Sequence, residues 1–416
     1  MTPREERGLV IAALCRLNRT KDGWLVPSQS ANERIYRVDV EQQTCTCPDH
    51  QEAGEKCKHL FAVEFTMKRE LRPDGTVIET KSMTFTEKKT YKQDWPKYNL
   101  AQTTEKRRFQ VLLAELCRGV EELPVLKRGR KPHLTRDSVF AMAFKVYSTV
   151  SARRFHCDLQ DSHERGHLCN PVPGMKVCAF FENEAFTPIL SRLLVSASLP
   201  LKAIETAFAT DSSGFSTSRF VRWFDEKYGV HRSGKEWVKA HVCTGVKTNV
   251  VTAVEILDKN AADSPQFSGL VGTTAQNFTI KEVSADKAYL SHANLELVES
   301  LGGTPFVPFK SNSTDGHGEG AWGKMYHYFQ FRREEFLQHY HKRSNVESTF
   351  SMVKAKFRDH VRSKTDVAMK NEVLCKFLCH NICCVISAQC ELGIEPVFWL
   401  EAEEKHPAIL RMPNPR

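Results

Sequence analysis

The sequence predicts a mixed α/β protein, in which a small N-terminal module and a helical arm precede a domain built on a mixed sheet. Apolar residues recur with helical spacing through residues 101–208. From residue 211 onward the pattern changes to strands separated by helical stretches. Residues 1–70 contain few apolar residues but a close group of cysteines and histidines. Strands interrupted and followed by helices are typical of a mixed α/β sheet.

Length, composition and charge are those of a globular protein with a polyanionic partner. The 416 residues suggest about two or three domains. An apolar content of 41% and a charged content of 26% exclude a chain that is disordered throughout. The excess of Lys and Arg over Asp and Glu, 59 − 50 = +9, favours nucleic acid as the partner.

Hydropathy and cysteine usage predict an intracellular protein with no membrane partner. The sequence has no run of 18 uncharged apolar residues and no signal-peptide pattern at its charged start. In such a chain the 14 cysteines are expected to be metal ligands or small buried residues, and no disulfides are expected.

The domain boundaries follow changes of pattern along the chain. An amphipathic run, the strand-like YRVDV and the helical HLFAVEFTMKRE make up the first module, and the polar run EKKTYKQDWPKYN follows it. We expect a module at 1–70, a linker at 71–100, a helical arm at 101–208, a sheet domain at 209–395 and a tail at 396–416.

Five strand-like runs are predicted in the sheet domain. They are TDSSGF, WVKAHVCTGV, VVTAVEIL, TIKEVSAD and TPFVPF. A tight turn at 247–249 joins the second to the third, and the last two helices are expected at about 331–358 and 367–390.

Three acidic residues are candidates for metal-assisted phosphodiester chemistry. Asp211 lies in the first predicted strand, Asp286 follows the fourth, and Glu347 falls in the penultimate helix. Carboxylates at strand ends can meet a helix that crosses the sheet, and three of them can hold two divalent ions about 4 Å apart. Without further evidence, ordinary caps, turn residues or surface acids are the alternative.

The helix that carries Glu347 strengthens this interpretation. On a single helix Tyr340, Arg343, Glu347 and Lys354 fall within about 60° of one another, a row suited to binding phosphates. A neighbouring apolar stripe would seat the helix on the sheet: Val346, Phe350, Val353 and Phe357. A solvated face with spaced salt bridges is the alternative.

These residues carry a family resemblance. DSSGF, ADKAY and YHKRSNVESTFSMVK resemble the three acidic motifs of the insertion-sequence DDE transposases of bacteria and archaea. The last of them reproduces the family's Y-(2)-R-(3)-E-(6)-K spacing at Tyr340, Arg343, Glu347 and Lys354. The resemblance runs from about 125 to 390.

The resemblance implies an RNase H-like catalytic domain. Asp211, Asp286 and Glu347 would bind two Mg²⁺ or Mn²⁺ ions that hydrolyse DNA at transposon ends and join the freed 3′-hydroxyl to target DNA. It further implies double-stranded DNA as partner, both terminal inverted repeats and target, a homodimer in the synaptic complex, and a cytoplasmic, nucleoid-associated protein of a prokaryote. Some relatives insert a long β-rich segment before the Glu. Here Asp286 and Glu347 are separated by only 347 − 286 = 61 residues. A DNA hairpin intermediate of the kind that such an insertion supports therefore has no support in this sequence.

A second cluster predicts a zinc site near the N-terminus. Cys45 and Cys47 are followed, after nine residues, by Cys57 and His59, so that two close pairs can supply a tetrahedral set of ligands. The pattern resembles the SWIM zinc finger, in which a hairpin carries the first pair and a helix begins at the second. Zinc would supply folding free energy to a module this small. His50 is an alternative ligand, and cysteines without a metal are the alternative interpretation.

A basic run before the helix near residue 135 is a candidate DNA contact. Its Arg-Gly-Arg core is similar to arms that enter the minor groove. The four cations of this run are Lys127, Arg128, Arg130 and Lys131. A solvated basic linker is the alternative.

Two further groups resemble metal sites but are interpreted otherwise. Cys375, Cys379 and Cys383 recur every four residues among large apolar residues, and we expect a buried helix there. Asp258 and Asp263 could rival Asp286, but DSPQF is typical of a helix N-cap followed by Pro.

The sequence therefore predicts a transposase, with two alternatives. One is a domesticated, non-catalytic DNA-binding regulator, against which the three intact acids argue. The other is a metal-dependent DNA nuclease without strand transfer, which would need the same acids.

Overall fold

The chain forms two compact units, Met1–Tyr91 and Lys92–Arg416, called here the N-terminal and C-terminal units. The computed structural model describes residues 2–15, 17–21, 23–28, 34–70, 94–124, 132–217 and 237–399. The basic run with Lys127, Arg128, Arg130 and Lys131 lies outside the described residues, as do most of the predicted linker and of the tail.

The N-terminal unit is a small antiparallel sheet packed with helices. Its strands pair in chain order: β1 (Asn18–Thr20), β2 (Gly23–Pro27), β3 (Ile35–Asp39) and β4 (Thr44–Cys45). Its helices are α1 (Pro3–Leu14), α2 (Pro48–Ala53) and α3 (Lys58–Glu70). Helix α1 can approach α3 closely because residue 8 is Gly; a Cβ there would lie 2.5 Å from the Phe61 Cβ.

The C-terminal unit begins with a bundle of helices. They are α4 (Trp95–Arg118), α5 (Thr135–Ser148), α6 (Ala152–Glu164), α7 (Lys176–Phe181) and α8 (Phe186–Ser198). Helix α4 starts six residues before the predicted start of the helical arm, because the Asp94 carboxylate accepts a hydrogen bond from the Lys97 amide and caps the helix.

A five-stranded mixed sheet follows, at the positions that the sequence pattern predicts. Its strands are β5 (Ala207–Ser216), β6 (Trp237–Gly245), β7 (Val251–Asp258), β8 (Glu282–Ala285) and β9 (Thr304–Phe306). Their order is β7-β6-β5-β8-β9; β6 is antiparallel to both β5 and β7, while β8 and β9 run parallel to β5. The prediction of a mixed α/β fold is confirmed.

Both faces of this sheet are covered. Successive residues of a strand point to opposite faces, so Phe208 joins one core and Ala209 the other. On the Phe208 side lie α9 (Gln266–Ala275), α10 (His292–Ser300), α11 (Gly320–Phe331) and α12 (Arg333–Tyr340). On the Ala209 side lie the helical bundle, α13 (Ser344–Phe357) and α14 (Asp366–Leu392).

The predicted single helix over 331–358 is wrong. Residues 341–343 form a 3₁₀ turn between α12 and α13, although the backbone stays in the right-handed helical region. Tyr340 therefore ends one helix and Glu347 lies in the first turn of the next. Between Asp286 and Glu347 the described chain is mainly helical, with β9 its only strand.

Helix α14 is the central helix of the unit. It is long and apolar enough by length and composition to cross a membrane, yet 78% of its apolar window is buried inside the structure. Cys375 and Cys379 are fully buried within it, as expected for cysteines that act as small apolar residues.

Candidate active site and metal centre

Asp211 lies in β5, and Asp286 directly follows the neighbouring strand β8 at the same level of the sheet. Thr210 of β5 pairs with Ala285 of β8, and the two acids are the next residues along these parallel strands. Neighbouring strands lie about 4.8 Å apart. Strand β8 ends at Ala285, so the Asp286 carboxylate caps the following turn by accepting the Lys287 amide at 2.7 Å.

Arg343 links the third acid to the first. Its Nη1 donates to the Asp211 carboxylate at 2.6 Å, and its Nη2 donates to the Glu347 carboxylate at 2.5 Å. Helix α13 lies against β5 and β6 through Val346, Phe350, Val353 and Phe357, which are all buried. The apolar stripe predicted from the sequence thus seats the helix that carries Glu347.

The electrostatics of Asp211 favour a nearby cation. Burial raises the pKa of its carboxyl, and the negative charges of Asp286 and Glu347 raise it further. The Ser212 amide, which donates to it at 2.8 Å, and the Arg343 guanidinium oppose this rise. Three acids thus share one region of negative potential, and Arg343 neutralises part of it.

Tyr340 and Lys354 flank the acids. Burial raises the pKa of Tyr340, with Arg343, Asp286 and Asp211 among the charges that act on it. The Lys354 Nζ donates to the Ser213 hydroxyl at 2.6 Å, two residues along β5 from Asp211. The break at 341–343 therefore does not separate the four residues of the predicted row.

A second polar group lies behind Asp211, on the opposite face of β5. Ser212 pairs with His241 of β6, and the Ser212 hydroxyl donates to the Asp263 carboxylate at 2.8 Å. The same carboxylate faces the Lys239 Nζ at 2.7 Å and the His241 Nδ1 at 3.3 Å. Burial raises the pKa of Asp263, but the hydrogen bonds from Lys239 and Ser212 outweigh this effect and hold the pKa below its usual range.

This arrangement corrects the prediction that Asp263 caps a helix. The N-cap of α9 is Pro265, and Asp263 contributes only its backbone carbonyl, which accepts the Gln266 amide. Its side chain turns to β5 and β6 because Lys239 and Ser212 offer stronger partners than an exposed helix end. The Asp258 carboxylate accepts the Asn260 amide of its own turn at 2.7 Å.

Four predicted metal ligands converge in the N-terminal unit. The ligand atoms of Cys45, Cys47, Cys57 and His59 all lie within 4.8 Å of one another, and the four residues are buried. Among the described residues this is the one set of three or more potential ligands that converges so closely. The hairpin β3–β4 carries Cys45, Cys47 precedes α2, and His59 lies in the first turn of α3.

The spacing within this cluster fits a tetrahedral metal site. The His59 Nδ1 lies 3.8 Å from the Cys45 Sγ and 3.9 Å from the Cys57 Sγ. Ligands about 2.0 to 2.3 Å from a zinc ion are about 3.5 to 3.8 Å from each other. Hydrogen bonds from Cys45 and His59 hold the pKa of Cys57 well below its usual range, which favours the thiolate. The His50 Nδ1 contacts the Glu55 carbonyl at 2.8 Å instead.

Comparison with known families identifies both regions. Residues 202–382 match the family model of the transposase DDE domain, and residues 36–68 match that of the SWIM zinc finger. The C-terminal unit therefore contains a region similar to transposase DDE domains, and the N-terminal unit contains a region similar to SWIM zinc fingers. No curated protein matches the chain.

The DDE domain assigns the sheet to the RNase H-like folds and supports a transposase-type role in DNA cleavage or transposition. It implies DNA as partner and divalent metal ions as cofactors, and the SWIM finger implies a zinc site. The match includes Asp211, Asp286 and Glu347, together with the Arg343 that links two of them.

Sequence reasoning missed the role of Asp263 with Lys239 and His241. The alternation of β5 and β6 could have indicated it, because Ser212, His241 and Lys239 place polar side chains on the face that also carries Phe208 and Cys243.

Proposed function

We propose that this protein is a DNA transposase that cleaves transposon ends and joins the freed 3′-hydroxyl to target DNA. The observation that carries the proposal is the adjacency of Asp211 and Asp286 on parallel strands, with Glu347 linked to Asp211 through Arg343. This set of carboxylates lies within the part of the chain that matches the DDE domain.

The three acids would hold the divalent ions, Mg²⁺ or Mn²⁺. Oxygen ligands suit both ions, and the raised pKa of Asp211 marks a site where a bound cation would relieve the repulsion among the carboxylates. Two such ions, when bound, stabilise the attacking and leaving oxygens of a phosphodiester.

The chain's own cations would hold and orient the DNA strand. Arg343 presents a planar fork of donors and can exchange a carboxylate oxygen for a phosphate oxygen when metal ions neutralise Asp211 and Glu347. Lys354 offers a point charge about two turns beyond Glu347 on α13, and Tyr340 offers a hydroxyl donor on the other side of Arg343.

We assign the zinc ligands to Cys45, Cys47, Cys57 and His59, supported by their convergence within 4.8 Å. Zinc would join the hairpin β3–β4 to the start of α3 and so stabilise a unit with a small apolar core. We further propose that the protein acts on terminal inverted repeats and target DNA, contacts the minor groove with the basic run at 127–131, forms a homodimer at synapsis, and works in the cytoplasm in association with the nucleoid.

The test combines cleavage with joining. A labelled duplex that carries the sequences flanking the gene should be nicked in Mg²⁺ and, with target DNA present, should yield joined products. Glu347→Ala should abolish both reactions and retain DNA binding. Cleavage without any joined product would support a nuclease instead, and unchanged cleavage by Glu347→Ala would refute the assignment of the acids.

A further inference from the structure

A cavity in the C-terminal unit lies apart from the three acids. Its volume is about 390 Å³, and it lies between the end of α5, helix α7 and the loop that joins α13 to α14. Its walls are apolar, formed by Val146, Val177, Phe181, Phe357 and Ala368. Its charged lining residues are Lys145, Arg358, Arg362 and Lys364 against Glu182 and Glu372, a balance of 4 − 2 = +2.

The basic loop of this cavity is held rigidly in place. Arg358 has φ 76° and ψ 148°, a conformation that residues with side chains rarely adopt. Lys376, which is 1% exposed, donates to the carbonyls of Arg358 at 3.0 Å and His360 at 2.7 Å. Glu372 accepts the amides of Arg362 and Ser363. Such strain persists where the surrounding structure fixes it, often at sites that clamp a ligand.

Three cations converge at the end of α5, where each donates a hydrogen bond to a backbone carbonyl; the Lys145 Nζ also lies 5.8 Å from the centre of the Phe155 ring. The Arg358 Nη2 donates to the Thr149 carbonyl at 3.1 Å, while the Arg362 Nη1 and the Lys145 Nζ donate to the Val150 carbonyl at 3.3 and 2.6 Å. Of the two acids that line the cavity, Glu372 is already bonded to backbone amides. Burial and the nearby arginine charges lower the pKa of Lys145, as expected where positive charge is in excess.

The cavity is joined to the strand and the helix that carry the acids. The Ser216 amide of β5 donates to the Asp359 carbonyl, and the Val361 amide donates back to the Ser216 carbonyl. Helix α13 ends at Phe357, 357 − 347 = 10 residues beyond Glu347. That is about 15 Å along the helix axis, or four to five nucleotides of one DNA strand at about 3.4 Å each.

We propose that this cavity binds one unpaired nucleotide of a DNA strand, its phosphate on Arg358, Arg362 and Lys145 and its base between the apolar walls. The inference rests on the proposed function for its DNA substrate. The cations account for a phosphate, and the apolar volume accounts for a base, since single strands bind where basic grooves adjoin apolar or aromatic surfaces. The backbone of an intact duplex would use the cations but leave the apolar volume empty.

The experiment measures binding of the full chain to labelled DNA by fluorescence anisotropy, without added divalent metal, so that cleavage does not enter. A blunt duplex is compared with the same duplex carrying a short single-stranded extension. The wild-type protein should prefer the extended duplex by about five- to tenfold. Arg362→Ala and Arg358→Gly should lose that preference, and Arg192→Ala, which removes an exposed cation that does not line the cavity, should keep it.

Arg358→Gly also guards against misfolding, because Gly adopts a positive φ without strain. Equal affinity of the wild type for the two duplexes would overturn the proposal. An equal loss of affinity for both duplexes in the variants would also overturn it, because the cations would then be a general electrostatic surface. Retention of the preference in both variants would overturn it as well. Displacement of the extended DNA by a free deoxynucleoside monophosphate as readily as by a single-stranded oligonucleotide would also overturn it, in favour of a small-molecule site. Failure of the cleavage test would refute the catalytic assignment and leave this binding preference measurable.

Discussion

Removing the Asp263 carboxylate should destabilise the C-terminal unit and disturb the strand that carries Asp211. The carboxylate is 26% exposed and has two bonded partners, the Ser212 hydroxyl and the Lys239 ammonium, and it lies 3.3 Å from the His241 Nδ1. Asp263→Ala leaves the ammonium of Lys239, which is 19% exposed, without its carboxylate and with the Ala261 carbonyl at 2.9 Å as its remaining partner. A lost charge-assisted hydrogen bond costs about 1.5 to 3 kcal/mol. Breaking a fully buried ion pair costs about 3 to 5 kcal/mol, and the cost here is lower because both groups are partly exposed. We therefore expect a loss of about 2 to 4 kcal/mol.

Asp258→Ala is the matched control, since Asp258 lies at the end of β7 and accepts the amide of its own turn. Urea unfolding should give a lower midpoint for Asp263→Ala, whereas Asp258→Ala should lie within about 0.5 kcal/mol of the wild type. Cleavage by Asp263→Ala at a temperature where it stays folded should also decline, because Ser212 adjoins Asp211. Equal stability and equal cleavage in the two variants would refute the reasoning.

Three further predictions follow from the described contacts. Replacing Cys57 with Ser and His59 with Ala together should remove about one zinc per chain in elemental analysis, while His50→Ala should retain it; zinc kept by the double variant would contradict the ligand set. Burial lowers the pKa of His380 from 6.5 to about 4. The contribution of its neutral ring to the free energy of unfolding is therefore complete above pH 6.5 and is lost as the pH falls towards 4. The loss should total about 3 kcal/mol; denaturation curves of His380→Asn that fall equally steeply with pH would show that another group is responsible. Lys354→Ala should reduce the salt slope of DNA binding by about one unit; an unchanged slope with a lower melting temperature would make its bond to Ser213 purely structural.

The fold was predictable where the pattern is local. The five strands of the sheet alternate or form short apolar runs bounded by turns, and the helices of the arm carry clear apolar stripes, so their positions follow from the sequence alone. The 3₁₀ turn at 341–343 was not predictable in this way, because a helical wheel cannot distinguish an unbroken helix from two helices joined by one tighter turn.

The site was predictable only in part. Motif spacing selected Asp211, Asp286 and Glu347, but the contact of Arg343 with Asp211 joins residues 132 positions apart and depends on how α13 crosses the sheet. Asp263 was misinterpreted for the same reason. Its local sequence is that of a helix cap, while its partners Lys239 and Ser212 come from two strands whose register the sequence does not reveal.

The central claim, catalysis by the three acids, is tested most directly at Asp286. Asn at this position keeps an oxygen to accept the Lys287 amide, so Asp286→Asn changes a charge with little effect on the turn. The matched control is Asp258→Asn, which also keeps its local hydrogen bond. The measurement is the rate of Mg²⁺-dependent cleavage of a labelled duplex at saturating protein. We predict that Asp286→Asn binds the duplex like the wild type and has no detectable cleavage, while Asp258→Asn cleaves normally. Normal cleavage by Asp286→Asn would contradict the account.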